Sequence, residues 1–171
     1  MKVLQDKLGY SFQDISLLEH ALTHSSFANE SRGRFTSNER LEFLGDSVLG
    51  MVVADHLYRT FPDMPEGELT RTRAALVCEE SLVEVAQELK LGDYLRLGKG
   101  EELSGGRHRP SIQADAVEAV LAAVYLDGGI QEASALMTDL LKQKFENESI
   151  KYTVIWGRYT PIPYRADKLE L

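Results

Sequence analysis

Cysteine is almost absent from this chain: of 171 residues only Cys78 carries a thiol. That excludes a disulfide framework and a cysteine zinc site, and fits a reducing, intracellular compartment such as the cytoplasm. Histidine is scarce too, with four residues. His20 and His24 stand four apart, but Ala21 occupies the place where a zinc-protease helix carries its glutamate. A di-iron bundle needs a glutamate three residues before histidine, and the four positions concerned hold Leu17, Ala21, Val53 and Gly105. Long apolar runs are missing. The longest, VLGMVVA at 48–54, falls far short of the roughly 20 residues a membrane-spanning helix needs. MKVLQDKLGY places charges where a signal peptide carries its apolar stretch. Positive charge is also short, with 19 Lys and Arg against 27 Asp and Glu, a net −8. After Ile150 there are four basic and two acidic residues, so the residues before it carry the whole excess. Taken alone, such a charge disfavours a nucleic-acid binder. An acidic body either repels polyanions or concentrates carboxylates around divalent metals.

No alternating strand pattern occurs before residue 150, and hydrophobic spacing is helical almost throughout, so the expected class is all-α. Asp14 is placed to cap a short helix through Leu22. ANESRGRFTS, at 28–37, has the composition of a loop. Asn38 is an expected N-cap for a long helix to about Thr60, ended by Phe61-Pro62. Further helices are expected from Pro65, over Ser81–Lys90, from Ser111 to Tyr125, and over Gln131–Glu146. Gly92 punctuates, RLGKGEELSGGRHRP at 96–110 has the composition of a polar loop, and Asp127-Gly128-Gly129 stops the Ser111 helix.

Two of these helices contain an anomaly. NERLEFLGDSVLG, residues 38–50, holds Glu39, Glu42 and Asp46 among Leu41, Phe43, Leu44, Val48 and Leu49. At about 100° per residue the three acids share an arc of roughly 60°. SIQADAVEAVLAAVYLDGG repeats the oddity, with Asp115 and Glu118 three apart. Carboxylates in such surroundings need salt bridges, proton sharing or a cation. Arg40 is the only base in either stretch, and its offset carries it off the acid face. A hard divalent cation with oxygen ligands, Mg²⁺ or Mn²⁺, suits the donor set best. The other reading is a solvated seam in which each acid caps or pairs locally.

NERLEFLGDSVLG resembles the signature of the ribonuclease III family. LGYSFQDISLLEHALTHSS resembles that family's N-terminal helix pair, LRLGKGEELSGG its intervening loop, and SIQADAVEAVLAAVYLDGG its second acidic motif. The likeness runs over about residues 4–148, and several co-linear motifs make it specific. It implies an all-helical endonuclease domain, here residues 1–149, acting as a homodimer on double-stranded RNA with Mg²⁺. Cleavage would leave 5′-phosphate and 3′-hydroxyl ends, in ribosomal RNA maturation and RNA turnover. The residues matching the family's metal ligands are Glu42, Asp46, Asp115 and Glu118. Glu39 matches an acid at the edge of the site, and Glu66, rather than Glu68, one near the cleavage valley. Phe43 matches a residue that enters a socket on the partner subunit; its other reading is core packing.

Arg71, Arg73, Lys99, Arg107 and Arg109 are candidate phosphate contacts, since A-form RNA is met chiefly through shape, phosphates and 2′-hydroxyls. His20 and His24 are expected in hydrogen-bonding roles. The tail from residue 150 holds the only Trp, and Tyr152–Trp156 has the composition of a strand. Only 23 residues follow Glu148, too few for the family's second, RNA-binding domain. The expectation is therefore a nuclease domain alone, excised or naturally short, with low and salt-sensitive affinity. Two other readings are a non-catalytic RNA-binding module on the same fold and a helical dimerisation domain binding structural metal. The presence of every expected acid disfavours the first.

Overall fold

A computed structural model of the chain describes residues 1–147, whose regular elements are all helical, with a single isolated bridge between Thr23 and Arg96. The helices are α1 (Lys2–Leu8), α2 (Ile15–Ala21), α3 (Ser25–Glu30), α4 (Glu39–Thr60), α5 (Glu66–Val77), α6 (Glu79–Leu89), α7 (Lys99–Leu103), α8 (Pro110–Gly128) and α9 (Ile130–Leu140). Two 3₁₀ turns, Leu91–Tyr94 and Gly106–His108, flank α7. The all-α expectation holds over the described residues. The strand expected at Tyr152–Trp156 lies outside them.

The two long apolar helices form the centre. α8 buries Ile112, Ala114, Ala116, Val117 and the unbroken stretch Ala119–Val124. α4 lies against it and buries Leu41, Val48, Leu49, Val52, Val53 and Leu57. Full burial of one such aliphatic side chain contributes about 1.5–3 kcal/mol, so this pair is the main source of cohesion. α2, α6 and α9 also pack on α8, while α5 packs on α4. Among the described residues no helix is long and apolar enough to cross a membrane.

Local chemistry sets the boundaries. Asp14 caps α2 by accepting from the Ser16 N–H at 3.0 Å. Pro110 opens α8, where a missing N–H costs nothing, and Gly129 ends it with φ of 87°. Phe61 follows the last turn of α4 and is buried.

Several expectations need correction. The stretch 28–37 is not all loop, because α3 runs through Glu30. The stretch 96–110 contains α7 and a 3₁₀ turn. α6 stops at Lys90, which itself takes the left-handed conformation with φ of 53°, while Gly92 lies inside the following 3₁₀ turn. The last helix breaks at a turn at Leu141 before helical residues resume at 142–147. That final segment is held to α4 by the Phe145 ring, centred 4.0 Å from the His56 ring, and to α6 by a Lys144–Glu84 ion pair. Asn38 stands at the N-cap of α4 but makes no side-chain cap bond.

Candidate metal centre

The crossing of α4 and α8 has no spare room. A Cβ added at Gly45 would meet the Glu118 carbonyl oxygen at 1.9 Å and its carbonyl carbon at 2.4 Å. Glycine in a helix interior costs about 1 kcal/mol against alanine. Here it allows backbone to touch backbone between the two acid pairs. Glu42 lies one turn before this contact, Asp46 is the next residue after it, and Glu118 is the contact itself.

Around that point Glu42, Asp115 and Glu118 each offer an oxygen, all within 4.8 Å of one another. Each of the three is half-buried. Burial raises the Glu118 carboxyl to about 7, with added push from Asp46, Glu42 and Asp115. Burial also raises Glu42, assisted by Asp115, Glu39 and Asp46. Asp115 is raised by burial and by Glu79, and lowered by His24. Among the described residues, the ion pairs found involve none of these three acids. Like charges converge there, relieved by no ion pair among the described residues, though His24 eases Asp115. An all-oxygen, partly desolvated donor set of this kind fits a hard divalent cation.

The remaining acids stand further out. Asp46 and Glu39 are exposed, so burial at the site is shallower than the apolar setting of the motif suggests. Both are close enough to raise Glu42, and Asp46 also raises Glu118. Glu39 accepts from the Ser37 hydroxyl at 2.7 Å. Glu66, in the first turn of α5, is exposed and accepts from the Thr70 hydroxyl at 2.7 Å. Glu68 pairs with Arg71 at 2.9 Å.

The histidines have the expected hydrogen-bonding roles. His20 Nε2 meets the Ser37 carbonyl at 2.8 Å, and His24 Nδ1 caps α3 by accepting from the Ser26 N–H. Phe43 is 78% exposed, which rules out core packing within this chain. Of the basic residues, Arg73 and Lys99 are exposed. Arg109 pairs with Glu101 and also donates to the Ser104 hydroxyl. Arg107 is committed inward, donating to the carbonyls of Gly92 and Leu95 and to Glu102. Its guanidinium holds the loop together, a role that the sequence reading of a phosphate contact did not foresee. Gly45 and Glu79 escaped that reading, and the buried Asn38 entered it only as a helix cap. A glycine between two acids in the middle of an apolar helix was the available signal for the first.

A family model described as Ribonuclease-III-like matches residues 14–144. Ribonuclease 3 of Caldanaerobacter subterraneus subsp. tengcongensis is 54% identical over 140 residues, 82% of this chain and 61% of that protein. Ribonuclease 3 of Oceanobacillus iheyensis is 58% identical over 130 residues, 75% of this chain and 57% of that one. This chain thus spans about three fifths of the length of the curated relatives it matches. Among solved structures, the nuclease domain of ribonuclease III from Campylobacter jejuni superposes with a TM-score of 0.78 at 42% identity, covering 85% of this chain and 98% of that one. Dicer from Pichia stipitis superposes with a TM-score of 0.62 at 27% identity, covering 82% of this chain and 60% of that one.

Proposed function

The chain belongs to the ribonuclease-III-like family, and from that membership we propose that residues 1–149 are a Mg²⁺-dependent endonuclease domain that hydrolyses double-stranded RNA. The observation that carries this reading is the convergence of Glu42, Asp115 and Glu118 from two helices, without a cationic partner among the ion pairs found in the described residues.

Glu42, Asp115 and Glu118 would hold the ion, with Asp46 approaching from the exposed side and Glu39 and Glu66 further out. When bound, Mg²⁺ supplies Lewis-acid charge that offsets negative charge developing on the phosphoryl oxygens and makes water a better nucleophile. Mn²⁺ has the same ligand preferences. Glu118 must give up the proton that burial helps it keep near neutral pH. Its stem, one turn from Asp115 on α8, then presents an anionic oxygen beside Glu42. The helix crossing holds these oxygens before any ligand arrives, so little reorganisation is needed. His20 and His24 are occupied in loop and capping bonds. That favours water over a ribose 2′-hydroxyl as nucleophile, and hence 5′-phosphate and 3′-hydroxyl ends.

A second copy of the chain completes the proposal. Phe43, Met51 and Tyr58 project from α4 at 78%, 53% and 74% exposure, and Leu126 adds to the apolar surface at 52%. At about 100° per residue, the three on α4 share an arc of roughly 80°. Exposed aromatic anchors of this kind mark interfaces. Two acidic sites in one homodimer would cut both strands of a duplex. Arg71, Arg73, Lys99 and Arg109 are the proposed phosphate contacts, and ribosomal RNA maturation and RNA turnover in the cytoplasm the proposed setting.

The test is incubation of labelled duplex RNA with the protein and Mg²⁺, beside Glu118→Gln. Cleavage by the wild type and none by the variant is expected. Equal cleavage by both, or none by the wild type at low salt, would leave a binding or dimerisation module instead.

A further inference from the structure

Backbone contact at Gly45 fixes α4 against α8 beside Glu118, but Glu42 and Glu39 stand N-terminal to it, in the first turn of α4. With a lever of about 6 Å from Gly45 to the Glu42 carboxylate, a 10° pivot moves that group by roughly 1 Å. A second anchor lies seven residues earlier, about 10 Å along the axis. We propose that Asn38 is a positioning residue for the acidic centre: it clamps the first turn of α4 to the end of α2 and so sets where Glu42 and Glu39 point. This rests on the metal-site reading given above.

Asn38 is 4% exposed. Its side-chain Nδ2 donates to the Ala21 carbonyl at 2.9 Å, and its backbone N–H donates to the Thr23 carbonyl at 2.9 Å. Its own carbonyl accepts from the Glu42 N–H at 2.9 Å, the first bond of the helix that carries the site. One buried residue therefore joins α2, the α2–α3 junction and a proposed ligand. Ala21 ends α2, where carbonyls lack partners within the helix, so the Asn38 amide and the Ala21 oxygen satisfy each other. A side chain free to cap its own helix is instead spent on a contact 17 residues away.

The neighbouring bonds act in the same sense. His20 Nε2 donates to the Ser37 carbonyl at 2.8 Å, and the Ser37 hydroxyl donates to Glu39 at 2.7 Å. The junction itself is braced from the far side, where the Arg96 N–H donates to Leu22 and the His24 N–H donates to Arg96. Two residues of the approach to α4 are thus tied to a junction that is itself pinned. Rotation of the first turn would break several bonds at once.

The experiment titrates Mn²⁺ alone, by calorimetry, into the wild-type protein, Asn38→Asp, His20→Ala and Leu57→Val, with a thermal melt of each. Asn38→Asp keeps the size and capping ability of the residue but turns the donor facing Ala21 into an acceptor. Leu57 is 1% exposed near the other end of α4, so its variant reports destabilisation alone. Outer residues that orient metal ligands typically change affinity by about 10–100-fold. Asn38→Asp is expected to weaken Mn²⁺ binding about tenfold or more, and His20→Ala less in the same direction. Leu57→Val is expected to melt earlier with its Mn²⁺ affinity intact. Binding by Asn38→Asp equal to the wild type, or an equal loss in Leu57→Val, overturns the assignment. Should Asn38→Asp not fold, His20→Ala decides, and unchanged binding there overturns it. Absence of Mn²⁺ binding by the wild type would defeat the metal site itself and this inference with it.

Discussion

With an ideal Cβ at position 45 standing 1.9 Å from the Glu118 carbonyl oxygen, Gly45→Ala must push α4 and α8 apart. Ordinary overpacking costs about 1–3 kcal/mol, and backbone cannot yield as a side chain does. Denaturant unfolding should show a loss at the upper end of that range or beyond, together with loss of RNA cleavage. A cost under about 0.5 kcal/mol would mean the crossing is not tight. Glu118 gives a second expectation at this scale. Its carboxyl lies at about 7 in the folded chain against an ordinary 4.5, so the folded state holds the proton more firmly. The metal-free protein then loses stability from this group as pH rises from 4.5 to about 7, with the full cost above that range. A divalent cation removes that cost. Thermal melts should show Mg²⁺ or Mn²⁺ stabilising more at pH 8 than at pH 5.5, whereas a pH-independent shift would contradict the assignment. The acids at this scale were legible because their spacing places them on one face. Their depth was not, since helix angle says nothing of the neighbouring element, and Asp46 and Glu39 prove exposed.

Long elements were legible and, apart from α2 with its Asp14 cap, short ones were not, for a physical reason. α4 and α8 carry enough apolar residues to reveal their period and their central place. α3, of six residues, and α7, of five, span too few turns to show one. Helices so short owe their existence to tertiary contacts rather than propensity. Ser26 bonds the Gly98 N–H, and Glu30 bonds the Lys99 N–H, so each supports the other. Arg107 is the main tie of the same region. Arg107→Ala should leave the Gly92 and Leu95 carbonyls without their donor and cost roughly 2 kcal/mol in denaturant unfolding. Lys99→Ala should leave stability unchanged and reduce only RNA affinity. The opposite pattern would assign Arg107 to RNA. Helix ends followed the same logic: Asp14 caps as its sequence suggests, whereas the Asn38 side chain is drawn to the Ala21 carbonyl of α2.

At the scale of the molecule, the proposed function would bring an acidic chain to a polyanion, so binding would have to come from local positive groups, a cation and a second copy acting together. Phe43 tests the second copy. Because it is 78% exposed, Phe43→Ala should leave monomer stability nearly unchanged while weakening self-association about tenfold or more in sedimentation equilibrium. Unaltered association would remove α4 from the interface. Net charge alone pointed away from nucleic acid, and only the motifs reversed that reading, because charge counted over a whole chain hides how carboxylates are gathered at one place. The most direct measurement is anomalous diffraction from crystals soaked in Mn²⁺. The account predicts a peak among the carboxylates of Glu42, Asp115 and Glu118, within ligand reach of all three. A peak elsewhere only, or those three carboxylates without one at saturating Mn²⁺, would contradict it.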